Sequence, residues 1–300
     1  MRIVDIASEG AMLVKDRGFL RDLQTEMRTP LEGIDVLVVS SRSGSLGVGL
    51  LRWAADAGVA VLVCNEKYIP SGMFLPISGT NAHPTVLAEQ IQTSLPCKKR
   101  FWASVVRVKV SLQAQALRLF NLDDAGVRKW VKNVRSGDPE NREASAALAY
   151  FPAMFGPSFR RGDDSPLNHH LNYGYAVARA ATARAAVAIG LHPALPIHHS
   201  SARNAFALVD DLMEPFRAVV DIAVRLHDCV KDDLNPDCKR AIVAHLGGML
   251  RLEDDRATVI DAMRSISMAW RSALKGGDTE CPSIAFDEER WRLNDIETCG

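Results

Sequence analysis

No stretch of this 300-residue chain reaches the roughly 18 apolar residues needed to span a bilayer. The longest candidate, Ala185 to Ile197, is short and is broken by His192, Pro193 and Pro196, so a membrane protein is not expected. The start, Met1-Arg2-Ile3-Val4-Asp5, lacks the basic block and apolar block of a secretory signal, which makes the cytoplasm the expected location. The cysteines, Cys64, Cys97, Cys229, Cys238, Cys281 and Cys299, include no Cys-x-x-Cys pair. They read as thiols, with Cys64 in a buried strand, and neither a structural zinc site nor a disulfide framework is expected. There is no internal repeat and no low-complexity run. Net charge is also missing: 36 Lys and Arg balance 36 Asp and Glu. That counts mildly against a nucleic-acid partner, because neutralising phosphates with Lys and Arg supplies most of the affinity of such proteins.

What is present starts with apolar residues, at 47% enough to bury a substantial core. Charge is polarised along the chain. Between residues 98 and 135 the bases Lys98, Lys99, Arg100, Arg107, Lys109, Arg118, Arg128, Lys129, Lys132 and Arg135 face only Asp123 and Asp124. From Leu252 onward the balance turns acidic, through Glu253, Asp254, Asp255, Asp287, Glu288 and Glu289. The overall zero therefore conceals a basic face, and distribution matters more than the total.

The first 77 residues carry strand signals. Arg2–Ile6 is followed by Met12-Leu13-Val14, a tight Asp16-Arg17-Gly18 turn and a return through Phe19 and Leu20, which reads as a hairpin. Next come the apolar run Val36–Val39, a helix from about Ser43 to Ala57 ended by Gly58, and a second apolar run, Val59–Cys64. After Ser78-Gly79-Thr80-Asn81 long segments of helical period take over, which places a boundary near residue 78. Helices are expected at about 84–95, 98–120, 123–135, 139–155, 167–190, 204–230, 237–251 and 255–274. The fold class is α+β: a small β-rich domain, residues 1–77, then a larger all-helical domain, residues 78–300. The last 25 residues, with Gly276-Gly277 and Cys281-Pro282, read as loosely held.

Three places could carry chemistry. Gly137–Ala147 reads as a turn feeding a helix with Glu143 in its first turn, where a carboxylate also simply complements the helix dipole. In Asn204–Arg217, Asp210 and Asp211 lie four and three residues before Glu214, on one helix flank, with Val209, Leu212, Met213 and Phe216 on the other. A solvated acidic face and a cation-holding face both fit that spacing. Arg217 could neutralise Glu214, and Pro215 should bend the backbone beside it. His198 and His199 sit in the loop before this helix, as ordinary loop histidines or as imidazoles aimed at what the acids hold. His169-His170 has no carboxylate at ligand spacing and reads as structural. One His with two carboxylates and open positions for water suits Mg²⁺ or Mn²⁺ on a phosphate substrate better than a closed zinc site.

Taken together, Gly-Asp-Pro-x-Asn-Arg-Glu-Ala (Gly137–Ala144), Leu-Asn-Tyr-Gly-Tyr (Leu171–Tyr175), His199 and Leu-Val-Asp-Asp-Leu-Met-Glu-Pro-Phe-Arg (Leu208–Arg217) strongly resemble the CRISPR-associated spacer-acquisition integrase and endonuclease. Val63–Asn65 and Ile69–Gly72 fit its type II branch, and the resemblance is dense from about 36 to 221. It implies a Glu143, His199 and Glu214 metal triad, with Asp211, Arg217 and Asn172 in support. It implies Mg²⁺ or Mn²⁺ as cofactor, a homodimer formed through the β domain, and insertion of prespacer DNA into a repeat array by attack of a 3′-hydroxyl. Its expected partners are double-stranded DNA, a small adaptation protein in a larger integration complex, and the effector nuclease of the same locus. Candidates for DNA backbone contacts are Lys98, Lys99, Arg100, Arg128, Lys129, Lys132, Arg160, Arg161, Arg179 and Arg184. Two other readings stand beside this one: a non-catalytic DNA-bridging scaffold of the same fold, and an unrelated metal-dependent phosphoesterase, which would need a pocket closed to a duplex.

Overall fold

The computed structural model describes residues 2–41, 43–65, 70–76, 83–199, 201, 203–227, 234 and 236–291. The boundary expected near residue 78 lies outside the described residues, as do Cys229 and Cys299. The chain begins with β1 (Arg2–Ile6), β2 (Ala11–Asp16), β3 (Phe19–Asp22), β4 (Arg28–Pro30), β5 (Ile34–Val39), β6 (Gly44–Leu46), α1 (Val48–Asp56), β7 (Ala60–Cys64) and β8 (Pro70–Phe74). These strands make two four-stranded sheets, ordered β1-β5-β7-β8 and β4-β3-β2-β6. The expected hairpin is β2 with β3, where Asp16 pairs with Phe19 and Arg17 takes the left-handed conformation at φ 53°. The strand, helix and strand unit is β5, α1 and β7, with the two strands parallel.

Both strands of that unit are continuous apolar runs because both of their faces are covered. Val36 and Val38 of β5, with Ala60, Leu62 and Cys64 of β7, join the large core shared with the helices. Leu37 and Val61 turn the other way, into a small core with Leu50 and Ala54 of α1. The side-chain period of two thus builds two cores from one pair of strands.

The remainder is mostly helical: α2 (His83–Gln92), α3 (Leu95–Leu119), α4 (Ala125–Arg128), α5 (Arg142–Phe155), α6 (Pro166–Ala188), α7 (Ala207–Met213), α8 (Arg217–Leu226), α9 (Pro236–Leu246), α10 (Val259–Leu274) and α11 (Glu288–Trp291). The sequence reading expects this part to be all-helical, and it is not. β9 (Met249–Leu252), β10 (Asp255–Thr258) and β11 (Ile284–Phe286) form an antiparallel sheet in the order β10-β9-β11. Gly247-Gly248 ends the helix that the periodicity carried through to 251, and Glu253, at φ 52°, with Asp254 turns the hairpin, since Leu252 pairs with Asp255. Of the last 25 residues, those up to Trp291 are held more firmly than expected, because Phe286 and Trp291 are buried and Arg107 pairs with Glu280 at 2.6 Å; 292–300 lie outside the described residues. The helix expected over 123–135 shrinks to α4 and a 3₁₀ turn at Val131–Asn133.

α6 crosses the body as a stripe of small residues, and at Gly174 the approach is closest. A Cβ built there would lie 2.3 Å from Val220 Cγ1 of α8 and 2.9 Å from Ile242 Cγ2 of α9. The Gly of the Leu171–Tyr175 motif is therefore a packing requirement. Gly174→Ala should cost about 1–3 kcal/mol of stability through overpacking, despite alanine's better helix propensity. A urea unfolding midpoint that stays at the wild-type value would refute this. Beside it, Tyr175 and Tyr150 both donate to the buried Asp221 carboxylate, at 2.5 and 2.9 Å, tying α5, α6 and α8 together. Burial pushes that carboxyl up to about 6, the two phenols offsetting part of the effect.

Candidate functional site

Glu143 is placed by its backbone. Gly137, Asp138 and Asn141 all have positive φ, 80°, 47° and 51°, and so fold the approach to α5 into a tight turn. The Asp138 carboxylate accepts from the amides of Arg142 and Glu143 at 2.8 and 3.0 Å, and the Asn141 side chain accepts from that of Ala144 at 3.2 Å. The turn is pinned to α3 by the Gly137 amide, which donates to the Lys99 carbonyl at 2.8 Å. With the helix start capped by other groups, the Glu143 carboxylate is free to turn toward α3, where Lys109 Nζ donates to Oε1 at 2.5 Å.

Glu214 is placed by the proline that follows it. Pro215 has no N–H to give to the Asp211 carbonyl, so α7 stops at Met213, Glu214–Phe216 tightens into a 3₁₀ turn, and α8 resumes at Arg217. The bend expected beside Glu214 is this turn. Glu214 Oε2 accepts from the same Lys109 Nζ at 2.6 Å, and Oε1 accepts from Arg217 Nε at 2.9 Å. Burial alone would push the Glu214 carboxyl up, but the Lys109 ammonium and the Arg217 guanidinium outweigh it and hold the group at about 2.

The three acids of this segment part company. Asp210 accepts from Arg179 Nη2 at 2.6 Å and from Asn204 Nδ2 at 2.7 Å. Asp211, wholly buried, turns to the histidine loop. Its Oδ2 accepts from the amides of Ile197 and His198 at 2.8 and 2.7 Å, and its Oδ1 faces His199 Nδ1 at 2.7 Å. A carboxylate on Nδ1 holds a proton there and leaves Nε2 as the lone-pair nitrogen, the tautomer of a metal ligand. The hydrogen bond that Nδ1–H donates to Asp211 also raises the imidazole pKa above its ordinary value. Trp102 completes the support: its ring stacks on His198 at 4.5 Å and meets His199 edge-on at 5.0 Å.

The structure therefore brings Glu143 and Glu214 onto one cation. His199 and Glu214 line one open hollow of about 440 Å³, with Arg161, Arg179, Arg217 and Asn172 on its walls. Asn172 touches Arg161 rather than an acid, accepting from Nη2 at 2.7 Å. Among the described residues no three His, Cys, Asp or Glu side chains are gathered closely enough to hold a metal ion as they stand. What lies between the two acids is an ammonium. An ammonium ion shared by two carboxylates is the observation that tests the fit: the site accommodates a cation between hard oxygen ligands, which is the chemistry that suits Mg²⁺ or Mn²⁺.

Lys109 is the site residue that the sequence reading missed, having counted it with the basic face. The signal was its register: Trp102, Val105, Lys109, Leu112 and Ala116 form one stripe of α3 at helical spacing, so Lys109 points inward. Of the other bases, Lys99, Arg100, Arg128, Lys129, Lys132 and Arg160 are exposed and Lys98 is half-buried. Arg128 lies 3.5 Å from Asp124. Arg184 does not join that face. It pairs with Asp35 of β5 at 2.8 Å and donates to the Gly58 carbonyl at 2.9 Å, clamping α6 to the sheet. His169 meets Asp164 at 2.6 Å at the surface, and His170 Nδ1 lies 2.7 Å from the Pro166 carbonyl.

A β-rich start, a helical body and two acids sharing a cation beside a carboxylate-held histidine define an α+β protein built around an acidic, cation-holding centre. The profile of the family described as "CRISPR associated protein Cas1" matches residues 5–227, and the chain belongs to that family. It is 34% identical over 280 residues to the CRISPR-associated endonuclease Cas1 of Neisseria meningitidis serogroup C (strain 8013), covering 90% of each chain. Its fold matches a casposase bound to integration product with a TM-score of 0.77 at 19% identity, over 99% of this chain and 97% of that one. It also matches a chain of a Cas6-RT-Cas1–Cas2 complex with a TM-score of 0.71 at 15% identity, over 94% of this chain and 36% of that longer one.

Proposed function

We propose that this protein is a metal-dependent DNA integrase and endonuclease of CRISPR adaptation, of the type II branch, inserting short prespacer DNA into a repeat array. The observation that carries the reading is the pair of carboxylates from separate elements, Glu143 and Glu214, sharing one cation position beside the hollow that Glu214 and the Asp211-held His199 line. Mg²⁺ or Mn²⁺ would be held by Glu143, His199 and Glu214. When bound, it supplies Lewis acidity at the scissile phosphate and lowers the cost of ionising the attacking hydroxyl. In the reaction a DNA 3′-hydroxyl loses its proton and bonds to phosphorus at the repeat boundary, and the displaced 3′-oxygen takes up a proton. Asp211 positions His199, and Arg217 keeps Glu214 ionised and aimed. Arg161, at the rim, offers a guanidinium to the DNA backbone. The Neisseria relative is named an endonuclease, the casposase structure holds an integration product, and the matched complex pairs a Cas1 with a Cas2. By extension this chain works as a homodimer with a small partner protein and double-stranded DNA, alongside the effector nuclease of its locus. Its place is the cytoplasm, and among the described residues no helix is long and apolar enough to cross a membrane.

The test is strand transfer. Purified protein with its partner should join a labelled duplex carrying free 3′-hydroxyls to a supercoiled plasmid bearing the array, with Mg²⁺ or Mn²⁺ and not with EDTA. Duplex binding without metal-dependent joining would instead indicate a scaffold. Binding itself should be electrostatic: raising salt from 50 to 200 mM should weaken it on the order of 10³-fold, as for a protein neutralising about six phosphates. Lys129→Ala with Lys132→Ala should lower the salt slope by about two. A flat salt response would remove the exposed bases of α4 and its neighbours from the interface.

A further inference from the structure

Lys109 sits where the proposed metal reading needs a cation, and the charges there are already balanced. Its ammonium is 2.5 Å from Glu143 and 2.6 Å from Glu214, and Arg217 is 2.9 Å from the other Glu214 oxygen. Two carboxylates thus face two bases. All four side chains are largely withdrawn from water, at 10%, 17%, 9% and 28% exposure for Lys109, Glu143, Glu214 and Arg217. A divalent ion added to this set without another change would leave two uncompensated positive charges at short range in a poorly screened place, which is strongly unfavourable. Arg217 reaches Glu214 from the next turn of the same segment and also covers the Tyr175 ring at 4.6 Å, so it is fixed on two sides. Lys109 comes from a different helix on a flexible four-carbon stem, and among the described residues it alone bridges both acids.

We infer that Lys109 and the divalent cation compete for one place. The ammonium holds Glu143 and Glu214 together in the metal-free protein, and cation entry expels it. Lys109 is then a built-in counter-ion, which keeps the acid pair from repelling itself apart before loading and sets the metal affinity lower than the same ligands would give without it. The inference rests on the proposed metal site and adds the residue that regulates its loading.

The experiment is Mn²⁺ binding, followed by the loss of the free-ion EPR signal, together with thermal unfolding in EDTA and in Mn²⁺. Lys109→Met, which keeps the stem and removes the charge, should bind Mn²⁺ tighter than wild type by about tenfold or more. It should also melt lower in EDTA and gain more from Mn²⁺ than wild type does. Lys109→Arg, which keeps the charge, should bind no tighter than wild type. Unchanged or weaker binding by Lys109→Met would overturn the inference while leaving the metal site standing. If wild type binds no Mn²⁺ or Mg²⁺ at all, the metal reading itself fails and this one falls with it. Should Lys109→Met not fold without metal, lysine-labelled wild type decides. The side-chain NMR signal absent from Lys109→Arg should move to the position of exposed lysines as Mg²⁺ is added, and a signal that stays fixed while Mg²⁺ binds would refute the exchange.

Discussion

Glu143→Ala should abolish strand transfer, by about 10³-fold or more, exceeding the 10²–10³ typical of removing one electrostatic partner of a transition state. The protein should remain folded and keep its affinity for duplex DNA. The structure says why this variant is so clean. The backbone at the start of α5 is held by Asp138 and Asn141, not by the Glu143 side chain, and alanine is a good helix former there. Lys109 loses one partner and keeps the other, Glu214. Lys109 and Glu143 are both largely withdrawn from water, so the stability cost is that of a buried pair, about 2–3 kcal/mol, kept below the roughly 3–5 kcal/mol of stranding a buried charge because Glu214 still answers Lys109. Glu214→Ala is a poorer test, because it leaves Arg217 and half the interactions of Lys109 unanswered in a buried place, and lost activity could then reflect lost structure. His199→Ala should match Glu143→Ala in activity. Plasmid integration by Glu143→Ala at the wild-type rate, with circular dichroism and duplex binding measured beside it, would remove Glu143 from the centre.

The features written in runs and periods were legible in the chain. Val36–Val39 and Val59–Cys64 announced strands buried on both faces, and Gly58 announced the end of α1. The turn at Gly137–Asn141 was legible because left-handed backbone favours Gly, Asn and Asp. The fate of individual charges was not. A tally along residues 98–135 adds Lys109 to the bases around it, whereas only its place on the apolar stripe of α3 tells that it faces inward. Spacing alone put Asp210, Asp211 and Glu214 on one flank, but the 3₁₀ turn at Pro215 and the three different partners send them three ways. β9, β10 and β11 were missed because strands of three or four residues are too short to show an alternation, and β11 pairs with a strand some thirty residues before it.

Asp211→Asn should cost metal affinity by about 10- to 100-fold, and strand transfer by at least as much, with only a modest loss of stability. The side chain keeps its shape but exchanges one acceptor for a donor in a wholly buried place. Two of its contacts cannot accept that exchange: the Ile197 and His198 amides both need an acceptor. The asparagine oxygen must therefore stay with them, and its N–H₂ must face His199 Nδ1. That nitrogen can then only accept, which moves the imidazole proton to Nε2 and blocks the lone pair a metal would use. The expected stability loss is about 1–3 kcal/mol, from weakened charge-assisted hydrogen bonds and an imperfect fit to the His199 amide. Asp211→Ala, by contrast, leaves the amides of Ile197, His198 and His199 without an acceptor and should unfasten the whole loop. A purely structural role for Asp211 would predict that Asp211→Asn binds Mn²⁺ as wild type does once both are folded. A positioning role predicts weak binding at full folding, with the ¹⁵N signals of His199 reporting the shifted tautomer. Unchanged Mn²⁺ affinity with an unchanged His199 spectrum would sink the positioning role.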